Sequence, residues 1–344
     1  MKRRNFVGLG LVLAVAGLAG CGSNSAGNST GNTASSDNTS NNTTTSENTE
    51  AKTVTVGYLA NIVMPQPLVG FETGEFAKAL PGVELKQQVY EAGPDVLKAL
   101  RAGVVDIAYT GPYPPINAYG KAKDVVLLAN AANGGTELVV GKDAPFKSVA
   151  DLKGKVIGVN QTGSTVDALV RWNLIQAKLV PGKDVKIIEV KPSQQADALK
   201  RREVDAVAAP APWPSQVAIN APGRPLLDWK QILNNGDYSA AVVFTTKKFA
   251  NANPETVRKF VEAHKAITTR LNADRAKGDA EVLAAWSKVS KKTLKPDVAK
   301  AAFATITYVD TADQKGFDQA SDIAVTTGIA RKKADLNGFI YEAK

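Results

Sequence analysis

The polar run Asn160-Gln161-Thr162-Gly163-Ser164-Thr165 opens directly into an amphipathic pattern over 163–177. A helix start presents unpaired N–H groups and positive dipole potential, which suits an anion. The Ser164 and Thr165 hydroxyls can add hydrogen bonds, or can simply cap their own helix. Gly111-Pro112 offers further backbone N–H groups, and Tyr113 a ring and a hydroxyl, unless this tyrosine only packs on the surface. Trp213, held between Pro212 and Pro214, is placed either to wall a pocket or to fill a core.

Other chemistries lack their parts. The only histidine is His264 and the only cysteine is Cys21. No internal disulfide, metal-ligand cluster or Cys–His or Ser–His nucleophile arrangement can be assembled from them. No acid–base pair suggests itself, and no phosphate-binding glycine motif is present. The expectation is a protein that is not an enzyme and that carries no cofactor and no metal. The formal net charge of +9 falls to about +6 once Lys2, Arg3 and Arg4 are set aside. That balance suits solubility, an anionic ligand or an anionic membrane. No dense basic stripe interleaved with aromatics points to nucleic acid.

Strand and helix patterns alternate from residue 53. Strands are expected over 53–59, 83–89, 105–109, 125–131, 155–159, 185–190 and 204–209, with helical stretches near 65–80, 93–102, 112–121 and 163–177. This order implies parallel sheet covered by helices. Residues 99–112 align without gaps on 198–211, and each copy runs Val-Asp into a strand that ends at a proline-containing loop. Two similar α/β lobes account for this echo. Asn253-Pro254-Glu255 reads as a helix start with Asn253 as cap, and Val257, Phe260, Val261, His264 and Leu271 share its buried face. Ligands of open α/β sheets bind beyond the carboxyl ends of the strands. That rule nominates the loops 60–65, 110–114, 133–136, 160–165 and 210–214.

Residues 1–20 carry three cations, an apolar run from Phe6 to Leu18 and then small residues. This is a secretory signal layout, too short for a comfortable permanent span. Leu18-Ala19-Gly20-Cys21 resembles a bacterial lipobox, in which the cysteine is acylated and becomes the mature N-terminus. A plain secretory cleavage site is the alternative. Residues 22–50 are nearly all Ser, Thr, Asn and Gly, so 21–52 is expected to be a disordered tether.

The body resembles the nitrate/sulfonate/taurine group of ABC-transporter substrate-binding proteins, which have the periplasmic-binding-protein type II fold. Four segments carry the resemblance: 56–61 (VGYLAN), 92–119, 148–165 (SVADLKGKVIGVNQTGST) and 204–217. It implies an α/β two-lobed clamp, with 53–140 plus 246–344 as lobe 1 and 146–238 as lobe 2. Two crossover strands, near 136–143 and 238–249, would join them. It further implies solute contacts at Asn61, Thr110, Gly111, Pro112, Tyr113, Gly135, Thr136, Gln161, Thr162, Gly163, Ser164 and Thr165. Val63-Met64 and Pro210-Ala211-Pro212-Trp213 are less polar than in many relatives, which favours a solute with an organic tail over nitrate. The expected protein is an extracytoplasmic, lipid-anchored monomer that hands an aliphatic sulfonate or taurine-like anion to a membrane permease. Nitrate, a pyrimidine or thiamine precursor, an aromatic acid, a phosphonate and a sensory role are the alternatives. A branch of the fold that builds a pyrimidine from its own histidine needs an active-site histidine and a Cys-rich segment, which this chain does not supply.

Overall fold

Residues 50–342 are described by the computed structural model. The signal segment 1–20, the acylation at Cys21 and the tether up to residue 49 lie outside the described residues. Among the described residues there are eleven strands: β1 (Thr53–Leu59), β2 (Glu84–Tyr90), β3 (Ile107–Thr110), β4 (Val125–Gly134), β5 (Thr136–Gly141), β6 (Val156–Val159), β7 (Lys186–Glu189), β8 (Ala206–Pro210), β9 (Gly223–Leu227), β10 (Ser239–Thr246) and β11 (Ile306–Tyr308). They form one sheet of order β11-β4-β10-β3-β1-β2 and another of order β7-β6-β8-β5-β9. Each sheet is packed between helices and makes one lobe.

Neither sheet is purely parallel. β1 pairs parallel with β2 and β3, and β6 with β7 and β8. β10 runs antiparallel to β3 and β4, as β5 does to β8 and β9. The reason is connectivity: β5 and β10 arrive from the other lobe and enter from the opposite end, so the parallel expectation holds only within each βα run. Gly134 and Gly135, at φ 81 and 79, turn the chain between the sheets. Residues 136–140, grouped by sequence with the first lobe, therefore pair in the second sheet. The return passes through 228–238.

Burial follows sequence character. β3 and the first eight residues of β4 are wholly buried, whereas β2, with its Lys and Gln residues, lies at the edge and is largely exposed. The 99–112 and 198–211 echo is a true equivalence of contacts. Asp106 before β3 accepts from Thr55 N of β1 at 2.8 Å. Asp205 before β8 accepts from Val156 N of β6 at 2.9 Å. Each aspartate pins its strand to its parallel neighbour by completing a donor that the ladder leaves open.

The helix Pro254–Ala273 is not capped by Asn253, whose side chain accepts from Ala51 N and donates to Phe249 O. Glu50 instead accepts from Glu255 N and Thr256 N, both at 3.0 Å. A carboxylate at a helix start satisfies two free donors and suits the dipole. Glu50 and Ala51, counted by composition in the tether, are thus tied to the fold.

His264 is buried on the expected face. Its ring bonds Tyr109 OH through Nδ1 at 2.8 Å and Asn130 O through Nε2 at 2.7 Å. Burial holds its pKa down to about 4. Its neutral form stabilises the fold fully above the ordinary value of 6.5, and that contribution is lost as pH falls through about 4. Glu137 on β5 has the opposite sign: burial first, and then Asp228, raise it from 4.5 to about 7. Its contribution is full below 4.5 and is lost as pH rises through about 7. Glu137→Gln is therefore expected to abolish a fall in stability on the order of 2–3 kcal/mol over that window. Urea midpoints measured from about pH 4 to 8 would check this. Equal falls in the variant and the parent between pH 4.5 and 7 would count against it.

Candidate functional site

Strand tips of both lobes meet at one place. From the first lobe come the loop after β1, with Asn61, Val63 and Met64, and the loop after β3, with Gly111 and Pro114. The second lobe contributes Asn160, Ser164 and Thr165 at the start of the helix Thr165–Gln176, together with Pro210 at the end of β8. They surround a cavity of about 30 Å³. An outer chamber of about 190 Å³ shares Leu59, Asn61, Asn160 and Pro210 with it and adds Tyr90, Glu91, Trp213 and Lys292.

The helix start is built by local chemistry. Ser164 is the cap: its Oγ accepts from Asp167 N at 3.2 Å and donates to Asn160 Oδ1 at 2.7 Å. Asp167, fully buried, accepts from Gly163 N at 2.8 Å and pairs with Arg171 Nε at 2.7 Å. Among the described hydrogen bonds none uses the N–H of Thr165 or Val166. Thr165 Oγ1 and Asn61 Oδ1, one from each lobe, are buried without a partner and belong to residues of the same small cavity. Leaving such atoms unpaired costs about 1–3 kcal/mol each, so the site calls for a hydrogen-bonding occupant.

The lobes touch closely here. Ile62 N donates to Ala211 O at 3.2 Å, and Gln161 Nε2 donates to Asp95 Oδ2 at 3.2 Å. A Cβ on Gly111 would lie 2.6 Å from Thr165 Cβ. This is a closed arrangement, and about 30 Å³ is room for roughly a single water. A larger solute must enter while the lobes are apart.

Of the residues singled out by sequence, Asn61, Gly111, Thr136, Ser164 and Thr165 line the inner cavity, and Trp213 lines the outer chamber. Thr110 donates to Gly111 O and shapes the loop from beneath, and Gly135 holds Ala211 N through its carbonyl at 2.8 Å. Gln161 spends its amide on Asp95, and Thr162 N and Gly163 N are taken by Glu189 and Asp167. Pro112 and Tyr113 do not line the cleft; they line a separate cavity. Sequence reasoning named Asn160 only as part of its loop, and missed Tyr90, Glu91 and Lys292. The Lys292 ammonium lies 5.7 Å from the Trp213 ring centroid. It is 79 positions away in sequence, the difference of 292 and 213, so no local pattern signals it. Trp286, in the helix Arg275–Ser290, donates to Ala60 O at 3.0 Å and meets Trp213 edge-on at 5.9 Å. It positions both the β1 loop and the aromatic wall. His264 is absent from both cleft cavities and has both ring nitrogens bonded. Among the described residues no group of three His, Cys, Asp or Glu can hold a metal ion.

Known proteins share this architecture. The chain is 28% identical over 251 residues to a Brucella abortus chain named as a binding protein, covering 71% of this chain and 74% of that one. It is 28% identical over 220 residues to the taurine-binding periplasmic protein of Escherichia coli, covering 62% and 65%. The alkanesulfonate-binding protein SsuA of Xanthomonas axonopodis pv. citri, solved with MOPS bound, superposes with a TM-score of 0.72 at 20% identity, covering 85% of this chain and 99% of that one. Two mixed sheets, crossed twice by the chain, are thus the α/β clamp of periplasmic binding proteins. A family model matches residues 47–287, well over half of the sequence, and the chain belongs to the NMT1-like family.

Proposed function

We propose that this chain is the extracytoplasmic solute-binding protein of an ABC importer and closes its lobes on a small organic anion of the aliphatic sulfonate class. It binds and does not catalyse. The observation that carries the reading is the pair of partnerless buried atoms, Asn61 Oδ1 and Thr165 Oγ1, contributed by different lobes to one cavity. The sulfonate would take the free N–H groups of Thr165 and Val166 and the Thr165 hydroxyl, while Asn61 Oδ1, an acceptor, would take an N–H of the solute, such as a taurine-like ammonium. The organic tail would extend past Val63 and Met64 or along Trp213. Glu91 and Lys292 lie at the outer chamber, and neither forms an ion pair among the described residues. Lys292 adds attraction for an incoming anion, while Glu91 suits a solute that also carries an ammonium.

Several relatives support the class: one is named for taurine, and the Xanthomonas protein was solved with MOPS, itself a sulfonate. In this reading residues 53–134 and 239–344 move as one body and 136–227 as the other, following the two sheets. Ligand binding would favour the closed population. The closed form would then dock, as a monomer, on a membrane permease. Acylation at Cys21 would hold it at the outer face of the membrane. No helix among the described residues is long and apolar enough to cross a membrane.

The test is calorimetric titration of the full chain with taurine, longer alkanesulfonates, sulfate esters and nitrate. Micromolar affinity for a sulfonate, on the order of 8 kcal/mol, is expected. Absence of heat with every sulfonate would sink the ligand class. Lys292→Met should weaken sulfonate binding by about threefold to tenfold at low salt and less at high salt. An unchanged salt dependence would remove Lys292 from the site.

A further inference from the structure

A roomier space than either cleft chamber lies near the second crossing. A cavity of about 330 Å³ opens where the chain returns from the second sheet to the first, and it shares no lining residue with either cleft chamber. That volume is within the usual range of small-molecule sites. Three carboxylates line it, Asp237, Asp310 and Asp313, and no Lys, Arg or His does.

Its wall is ordered toward acceptance. Ser239 Oγ donates to Asn130 Oδ1 at 2.8 Å, Asn130 Nδ2 donates to Asn133 Oδ1 at 3.1 Å, and Asn133 Nδ2 donates to Asp237 Oδ1 at 2.9 Å. Every link spends a donor, so the chain terminates on a carboxylate. Asp310, half-buried, accepts only from the Thr311 hydroxyl on its side chain and is in no ion pair among the described residues. Tyr113, whose ring lines the cavity, has a hydroxyl that is buried with no partner. The Arg275 guanidinium, 3.9 Å from the Tyr308 ring centroid, is committed to Asp279 and is not part of the lining. Among the described residues no group of three His, Cys, Asp or Glu, these aspartates included, could hold a metal ion. Spread acceptors, aromatic rings and apolar side chains such as Leu169 and Phe317 fit an extended organic cation better than a point ion.

We propose that this cavity is a second solute site, for a small linear di- or triammonium ion. Leu169 comes from the second lobe and Asn130 and Phe317 from the first, so an occupant touches both lobes at the crossing. It does not depend on the anion reading of the cleft.

The experiment is titration of the full chain with 1,4-diaminobutane and with spermidine, using 1,4-butanediol as the uncharged control. Saturable amine binding is expected, at least tenfold weaker in Asp310→Asn and in Asp237→Asn and unchanged in Ser164→Ala at the cleft. Asp310→Asn keeps the size of the side chain and an acceptor for its exposed hydrogen bond from Thr311, so folding is expected to survive; circular dichroism would verify that. No binding of either amine, equal binding of the diol, or amine binding indifferent to both aspartate variants would overturn the proposal.

Discussion

Gly111→Ala is expected to lower solute affinity by about tenfold to a hundredfold while leaving each lobe folded. The added Cβ would sit 2.6 Å from Thr165 Cβ and 3.2 Å from Ala240 O. Neither neighbour is the far end of a flexible chain, so the clash cannot be relieved by a rotamer change alone. Gly111 is not at positive φ, so alanine suits its backbone and the penalty falls on the approach of the two lobes. Overpacking of this kind costs about 1–3 kcal/mol. The closed population bears that cost, and the apparent affinity falls with it. Small-angle scattering should show a more open particle in the presence of solute. Adding Thr165→Gly removes the facing Cβ and should restore closure in part. A Gly111→Ala protein that binds and closes like the parent would remove this contact from the closing interface.

Asp167→Ala is expected to cost about 3–5 kcal/mol of stability and to abolish binding. Its carboxylate is wholly buried, holds Gly163 N and pairs with Arg171, whose side chain is 22% exposed. Truncation strands a buried N–H and a largely buried guanidinium at once. It also frees the 160–165 loop that aims the helix start at the cleft. Asp167→Asn keeps an acceptor for Gly163 N and should fall between. Urea midpoints and sulfonate titrations on the three proteins would decide this. A midpoint for Asp167→Ala within error of the parent would mean that the pair contributes nothing to the loop.

Much of this molecule is local in origin. Alternation and β-branched residues define β1, and Ser164 placed three residues before Asp167 caps its helix, as the residue types require. The Val-Asp echo announces two equivalent strand-pinning aspartates, because a carboxylate just before a strand reaches only its immediate neighbour. The mistaken parts are those in which a partner arrives from far along the chain. Asn253 looks like a cap, but Glu50 reaches the helix start first. Tyr113 follows a strand tip, yet its ring lines the other cavity, with Tyr308 and Phe317.

Sequence alone determined the α/β rhythm, the strand tips and the anion-suited helix start, since each depends on residues within one or two turns of one another. Tertiary structure decided the antiparallel crossings, the meeting of Asn61 with Thr165, the placing of Lys292 over Trp213 and the acidic cavity at the second crossing. The physical reason is the same for all four. Each brings together groups separated by many residues, and only packing of the two lobes fixes those distances.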